Sequence, residues 1–569
     1  MSDSTTKSGA ELLIDALKIN GIQNIYGLVG IPVTDLARLA QIEGMNYYGF
    51  RREDAAVNAA AAAGFITGKP GIALTVSAPG FLNGLPSLAQ ATKNCFPLIM
   101  ISGSSDRNII DLDQGDYEGL DQYNIAKPFC KAAFRVNRAE DMGTAVARAI
   151  RTAVSGRPGG VYLDLPAEAI ESMMIDDKKG NNVYEIVDPA PSVIPSDESI
   201  SRAINIIKNS QKPLVIVGKG AASARAEKEV KELIDTLNVP YLPMSMAKGL
   251  IPDDDSHSAA AARSYSLKNA DTIILLGARL NWLLSHGKAP VFNESAQVIQ
   301  IDIDAYEFDS NRRIDAPILG DMKSSLRKLI DAVHEQEVTV ESQWLDDVQN
   351  VVLSNKEKMR TRLEAGKTSE PLNFFGALLP LQEYMNEHPD TYLVSEGANT
   401  LDMGRNIIDM KLPRHRLDCG TWGVMGIGLG YAIAAAVETG KRVIALEGDS
   451  AFGFDAMEME TICRYHLPVT VVVLNNGGIY NGTDKVVDNQ PSPTNLDPRA
   501  HYEYLSSAFG GDSYVASTYS EVKDALVKAM DSNNPSIINA TLNPSAGTES
   551  GHIDNLNAKI DLKKAANNL

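Results

Sequence analysis

No basic run or arm occurs in this chain of 569 residues, and acidic residues outnumber basic ones by 72 to 53, a net charge of −19. A field of that sign repels nucleic acid and anionic membranes, so neither is expected as a partner. An anionic ligand must instead be met by local cations and helix N-termini. Cysteine is scarce. Cys95, Cys130, Cys419 and Cys463 are too few and too scattered for a disulfide framework or a zinc site, which leaves the reduced thiols of a cytoplasmic protein. The opening MSDSTTKSGAELL lacks the charged and apolar regions of a secretory signal. One stretch long enough to raise a membrane question, residues 419–437, is free of charge. It holds five glycines, with Glu438 and Glu447 close behind, and reads as a buried loop and helix in a soluble core.

The apolar content, 44%, is ordinary for a globular protein, and the length calls for about three domains. Strands are expected at 24–28, 71–76, 98–102 and 160–165, with helical runs such as 55–66 and 142–154 between them. Strands alternating with helices indicate a parallel, doubly wound α/β sheet. A proline-punctuated stretch, 188–195, reads as a linker. Strands at 213–217, 272–276 and 298–303 follow, then a charged helical segment, 338–367. The last segment has strands at 392–395, 443–446, 469–474 and 536–540. No sequence repeat links the first and third segments.

Two of those strand ends carry the chain's most specific chemistry. An apolar strand runs into Gly448-Asp449-Ser450, and a β-branched strand ends at Asn475-Asn476-Gly477-Gly478. Loops beyond carboxyl strand ends are where open α/β sheets bind ligands. A carboxylate, an amide oxygen and an exposed glycine carbonyl are hard oxygen ligands, suited to a Mg²⁺ that keeps waters and holds phosphates. The N–H groups of Ser450 and Ala451 open a helix, where a phosphate is received. Ordinary turn residues in a βαβ unit are the plain alternative.

Elsewhere the residues leave two readings open. Glu53 stands at the mouth of an Ala-rich helix, AAVNAAAAAGF, either as a charge favourable to the helix dipole or as a buried functional acid. Met425, in GTWGVMGIG, is either plain core or an apolar wedge beside a ligand. In the middle segment a glycine turn, Gly218-Lys219-Gly220, joins strand ends carrying Arg279 and Asp302. Two cations for phosphates and an acid for ribose make a nucleotide constellation. The dinucleotide fingerprint is incomplete, and an inert relic of a Rossmann domain is the alternative.

The span GDSAFGF…NNGGIY, residues 448–480, resembles the diphosphate-binding motif of thiamine diphosphate enzymes. The resemblance extends over nearly the whole chain and is nearest to the oxalyl-CoA decarboxylases. It rests on Gly30-Ile31-Pro32, VSAPGFLNG (76–84), DLDQGDYEGLDQ (111–122), VGKGAA (217–222), MAKGL (246–250), GARLNW (277–282), GTWGVMGIG (420–428) and GTESG (547–551). Several of these motifs are shared with 2-hydroxyacyl-CoA lyases, the nearest rival. GDYE, APGFLNG and the C-terminal Glu-Ser-Gly favour the decarboxylases.

The resemblance implies three doubly wound Rossmann-like α/β domains of the thiamine diphosphate-binding fold. These are a pyrimidine-binding domain (1–187), a central ADP-binding domain (196–340) and a diphosphate- and Mg²⁺-binding domain (370–552), followed by a tail (553–569). It implies Mg²⁺ on Asp449, Asn476 and the carbonyl of Gly478. Glu53, Gly423, Val424, Met425, Ser450, Ala451 and Tyr480 would contact the thiamine diphosphate. Glu53 is the activating acid, supplied to a neighbouring subunit, so at least a homodimer and by family habit a homotetramer is expected. The family's histidine before that acid is here Arg52. Tyr117, Glu118, Tyr480 and Ser550 are the implied polar catalytic groups around oxalyl-CoA. Ile31, Tyr117, Arg263, Ser264, Asn355, Arg405, Asn406, Ser550 and His552 would hold that thioester, His552 standing where arginine is expected. ADP, as activator, would fall to Arg157, Lys219, Arg279, Asp302 and Asp321. The implied activity is decarboxylation of oxalyl-CoA to formyl-CoA and CO₂ in oxalate catabolism. An acetolactate synthase-like enzyme carrying FAD and a catalytically silent nucleotide sensor are the more distant alternatives.

Overall fold

The computed structural model describes residues 6–175, 182–340, 343–485, 490–548 and 560. β-Branched and leucine-rich runs such as Pro213–Val217, Thr272–Leu276 and Val469–Asn475 form strands buried along their whole length. Strands buried on both faces belong in parallel sheets flanked by helices, and all three large sheets are of that kind. The chain gathers into two compact units. One holds residues 1–191, 421–440 and 455–467, the other 192–420, 441–454 and 468–569.

The first unit is built on β1 (Asn24–Leu28), β2 (Asn46–Gly49), β3 (Gly71–Thr75), β4 (Leu98–Ser104), β5 (Ala132–Arg135) and β6 (Gly160–Pro166). Their order is β2-β1-β3-β4-β6-β5, every neighbouring pair parallel. A short antiparallel pair, Thr6–Ser8 with Met173–Ile175, lies apart from it. The Glu53–Thr67 helix starts two residues before the expected run, which puts Glu53 in its first turn. Ten of its positions are alanine, glycine or another small or apolar residue that is fully buried, so it is apolar all round and lies inside. It ends at Gly68, whose φ of 80° is the left-handed conformation that glycine adopts freely. Against it packs the Gly428–Thr439 helix, also buried along most of its length. A Cβ at Gly430 would stand 2.7 Å from the Ala55 carbonyl oxygen, so only glycine permits this approach. The uncharged stretch at 419–437 thus resolves into a turn and a buried helix. Among the described residues no helix is long and apolar enough to cross a membrane.

The second unit contains two sheets. One has β7 (Pro213–Val217), β8 (Tyr241–Pro243), β9 (Thr272–Leu276), β10 (Gln297–Asp302) and β11 (Ala316–Leu319) in the order β8-β7-β9-β10-β11. The other has β12 (Tyr392–Glu396), β13 (Arg416–Leu417), β14 (Val443–Gly448), β15 (Val469–Asn475), β16 (Asp512–Ala516) and β17 (Ser536–Thr541) in the order β13-β12-β14-β15-β17-β16. Both are parallel throughout, and each has its own apolar core. The charged segment between them is the Gln343–Gly366 helix. The α/β class and the three doubly wound layers are as expected. The sequence reading misses β2, β5, β8, β11, β13 and β16, which lie at or near sheet edges and are short or only half-buried. Such strands lack the long apolar run that marks a central one.

Candidate functional site

In the second unit, β14 and β15 are parallel neighbours, so their carboxyl ends stand side by side. Asp449 follows β14 and is buried. Its Oδ1 accepts the Ser450 N–H (2.7 Å), and its Oδ2 accepts the N–H groups of Gly477 (2.7 Å) and Gly478 (3.2 Å). The carboxylate therefore laces one strand end to the other. Gly477 turns with φ of 76° to present both N–H groups. Burial pushes the Asp449 carboxyl up to about 6, against the pull of those backbone donors. The Ser450 N–H, expected to meet a phosphate, is engaged by this carboxylate.

Asn476 gives both hydrogens of its amide to main-chain carbonyls, Tyr480 (2.9 Å) and Ala546 (2.6 Å). Its oxygen is thereby turned the opposite way, as an acceptor available to a cation. Asn399 reaches the same Tyr480 carbonyl at 3.2 Å. Behind the turn, Asn475 accepts the Gly477 N–H (3.2 Å) and donates to Asn539 (3.3 Å), which donates to the buried Glu503 (2.7 Å). Sequence reasoning did not find Asn399, Asn539 or Glu503, which lie 36 to 81 positions from their partners. Among the described residues no group of three or more His, Cys, Asp or Glu could hold a metal. The donors that remain are one buried carboxylate, one oriented amide oxygen and the turn's carbonyls. That hard, all-oxygen set with a single negative charge fits Mg²⁺ shared with a phosphate ligand.

Other expected residues of this unit fall into two groups. Arg263 is largely buried and donates to the Leu283 carbonyl (2.7 Å). Burial, with Arg405 nearby, pushes its guanidinium down to about 10. Among the described residues no carboxylate pairs with Arg263, whereas Arg405 has Asp402 at 2.8 Å. Two guanidiniums close together, one without a counter-charge, suit an anionic ligand. Ser264 and Asn406 are exposed, and Asn355 donates to the Ala261 carbonyl (2.9 Å). The second group lies at the carboxyl ends of β7, β9 and β10. Lys219 and Arg279 are half-buried there, Arg279 with Glu307 at 3.7 Å, and Asp302 is buried and accepts the Asp304 N–H (3.0 Å). Asp321 exchanges main-chain and side-chain hydrogen bonds with Val193.

In the first unit, Glu53 is buried, its Oε2 accepting from Asn83 (3.1 Å). Its Oε1 faces Gly80, where a Cβ would come within 3.0 Å. Arg52 turns away and forks onto Asp54 (3.0 and 2.9 Å). Met425 is 37% exposed and Trp422 40% exposed, so the plain-core reading of Met425 fails. The turn carrying them is pinned by Asn94, which accepts from Thr421, and by Asn58, which donates to Gly426 (3.0 Å). Val424 is half-buried, and Gly423 has open space where a Cβ would stand.

Loops after β1, β3 and β4 meet around Ser77. Its hydroxyl lies 2.6 Å from Glu118 Oε2 and 3.1 Å from the Ile31 carbonyl. Next to it Ala78 adopts φ of 36°, a strained value for a residue with a Cβ, and gives its N–H to the buried Gln122 (2.5 Å). Tyr117 is 82% exposed, and Ile31 is also exposed. Tyr480, in the second unit, is half-buried. Ser77 and Gln122 were missed singly, although the motifs VSAPGFLNG and DLDQGDYEGLDQ contain them. Arg157 donates to Cys95 Sγ (3.1 Å). Ser550 and His552 lie outside the described residues.

Three family models match the chain. The N-terminal binding domain of thiamine pyrophosphate enzymes matches residues 7–125, their central domain 200–329 and their C-terminal binding domain 396–540. The chain is 53% identical to oxalyl-CoA decarboxylase of Escherichia coli K12, over 98% of this chain and 99% of that protein. It is 38% identical to 2-hydroxyacyl-CoA lyase of Arabidopsis thaliana, over 98% and 99% of the two chains. The human 2-hydroxyacyl-CoA lyase 1 is also 38% identical, over 95% of each.

Proposed function

The chain belongs to the thiamine pyrophosphate enzymes, and from that premise we propose that it is the carboxy-lyase that turns oxalyl-CoA into formyl-CoA and CO₂. The observation that carries this reading is the laced turn of Asp449, Asn476, Gly477 and Gly478, in a chain 53% identical to an oxalyl-CoA decarboxylase throughout its length. Asp449, Asn476 and the Gly478 carbonyl would hold Mg²⁺, with the cofactor diphosphate against the helix start at Ser450 and Ala451, where the Ala451 N–H and not the Asp449-bound Ser450 N–H would face it. Thiamine diphosphate, when bound, supplies the carbon nucleophile and the electron sink that decarboxylation needs.

The protein's own part is to hold, orient and protonate. Glu53 would present its buried carboxyl to the aminopyrimidine ring, and Met425, exposed on its pinned turn, would contact the cofactor alongside Gly423 and Val424. Glu118, set by Ser77, would help hold a water for proton delivery to the reacting carbon, with Tyr117, Tyr480 and Ser550 as hydroxyl partners. Hydroxyls suit this position because a strong cation would stabilise the carboxylate that has to leave. The CoA moiety would be held by Arg263, Ser264, Asn355, Arg405 and Asn406, with Ile31 and His552. Two guanidiniums, of which among the described residues only Arg405 has a carboxylate partner, are what support an anionic phosphate there. ADP would lie at the strand ends that carry Lys219, Arg279 and Asp302, with Asp321 and Arg157.

We further read the three stretches 1–187, 196–340 and 370–552 as pyrimidine, central and diphosphate domains, in a cytoplasmic homotetramer serving oxalate breakdown. Glu53 would then act in a neighbouring subunit. The test is a direct comparison of oxalyl-CoA with a longer 2-hydroxyacyl-CoA, with products identified by mass. Formyl-CoA and CO₂ from the first, with little aldehyde from the second, is expected. Aldehyde release as the faster reaction would instead assign the chain to the lyase activity of its 38% identical relatives.

A further inference from the structure

The strand-to-helix turn that delivers Glu53 is gripped from outside its own segment. Within the first unit, the Glu458–Arg464 helix lies against residues 47–52 and takes up their main-chain groups one after another. Glu458 is fully buried. Its Oε1 accepts the N–H groups of Arg51 (3.1 Å) and Arg52 (2.9 Å), and its Oε2 lies 3.2 Å from the Arg51 N–H. The Thr461 hydroxyl donates to Oε2 (2.9 Å) and lies 3.3 Å from the Gly49 carbonyl. Arg464 donates to that same carbonyl at 2.5 Å. Tyr465 accepts the Gly49 N–H (2.8 Å) and approaches the Tyr47 carbonyl at 3.3 Å.

We propose that Glu458 is a positioning residue for Glu53: by accepting the two N–H groups immediately before it, this carboxylate fixes where the first turn of the Glu53–Thr67 helix begins. Two features argue against simple packing. The Arg51 and Arg52 N–H groups lie outside the helix ladder and need an acceptor, and a buried charged group is costly unless paired by hydrogen bonds. Burial pushes the Glu458 carboxyl up to about 7, against the pull of the Arg51 and Arg52 N–H groups and the Thr461 hydroxyl. The position of this turn matters because the buried Glu53 side chain is held by Asn83 on one oxygen and lies beside Gly80 with the other. A displacement of about 1 Å in a reacting constellation costs about a hundredfold in rate.

This inference rests on the assignment of Glu53 as the ring-activating acid, and the test separates the two. Glu458→Ala, Glu458→Gln and Glu53→Gln are compared as full-length holoenzymes with saturating Mg²⁺ and thiamine diphosphate. Three quantities are read: cofactor affinity, the near-ultraviolet circular dichroism of the bound cofactor's ring tautomers, and kcat. Glu458→Ala is expected to bind cofactor within about threefold of wild type, yet to lose the dichroism and about a hundredfold in kcat, as Glu53→Gln does. Glu458→Gln keeps an oxygen acceptor for both N–H groups and is expected to remain within about threefold of wild type in all three. A Glu458→Ala protein that binds cofactor and keeps wild-type dichroism and kcat overturns the proposal. So does a Glu458→Gln protein as impaired as Glu458→Ala. If Glu458→Ala does not fold, Thr461→Val replaces it, with a loss of at least threefold expected and wild-type behaviour overturning. If Glu53→Gln itself behaves as wild type, the assignment of Glu53 fails instead.

Discussion

Replacing Asp449 by asparagine should uncouple the stability of the apoprotein from its ability to bind cofactor. The carboxyl is pushed from 3.8 to about 6 by burial. A carboxyl raised in the folded state favours folding while protonated, and that advantage is lost as pH rises from about 4 through about 6. At about 1.4 kcal/mol per pH unit, the apoprotein at pH 7 is some 3 kcal/mol less stable than one with an unperturbed group. Asparagine removes that charge. Its single oxygen can stay on the Gly477 and Gly478 N–H groups, which leaves the Ser450 N–H facing an amide nitrogen. A buried donor left without an acceptor costs about 1–3 kcal/mol. The two effects nearly cancel, so Asp449→Asn apoprotein should melt within about 1 kcal/mol of wild type at pH 7, or above it. Its melting should also lack the decline between pH 4 and 6 expected of wild type from this carboxyl. Ligand-induced stabilisation should change far more. At a hundred times its Kd, thiamine diphosphate with Mg²⁺ raises stability by about 2.7 kcal/mol, and a hundredfold loss of affinity reduces this to about 0.4 kcal/mol. Differential scanning calorimetry with and without cofactor reads both quantities. An undiminished cofactor-induced rise in the variant refutes the metal role of Asp449.

Further outcomes follow from the same geometry. Glu53→Gln should keep cofactor affinity within threefold while kcat falls by about a hundredfold or more, measured by steady-state decarboxylation. If Arg263 holds the CoA moiety as proposed, Arg263→Ala should raise KM for the CoA thioester by about tenfold with kcat nearly intact, as the loss of uniform binding does. Equal losses in kcat and kcat/KM would place Arg263 elsewhere. Lys219→Ala should abolish any response to ADP in isothermal titration and leave turnover without ADP unchanged. Gly430→Ala puts a methyl 2.7 Å from the Ala55 carbonyl, and chemical denaturation should show a loss of about 1–3 kcal/mol.

The central strands were legible because each is an apolar run bounded by turn residues, and Asp449 and Asn476 because they end two such runs. The edge strands were not. Asn46–Gly49 and Asp512–Ala516 are short and partly exposed, so their pairing comes from the neighbouring strand and not from their own pattern. Met425 could not be decided from its type, since methionine serves equally in cores and beside ligands, and its 37% exposure speaks only against plain core. Ser77, Gln122 and Glu458 escaped for a different reason. Each acts through a partner between 41 and 407 positions away, such as Glu118 for Ser77 and Arg51 for Glu458, and no local periodicity encodes that distance.

On the proposed reading, this fold removes CO₂ from oxalyl-CoA with thiamine diphosphate held at the Asp449 turn. Apoprotein stripped of cofactor, then given oxalyl-CoA with Mg²⁺ and with or without thiamine diphosphate, tests it in one measurement by mass spectrometry of the thioester. Stoichiometric formyl-CoA only when the cofactor is added is the expected result. Intact oxalyl-CoA in both samples, or the same product without the cofactor, contradicts the account.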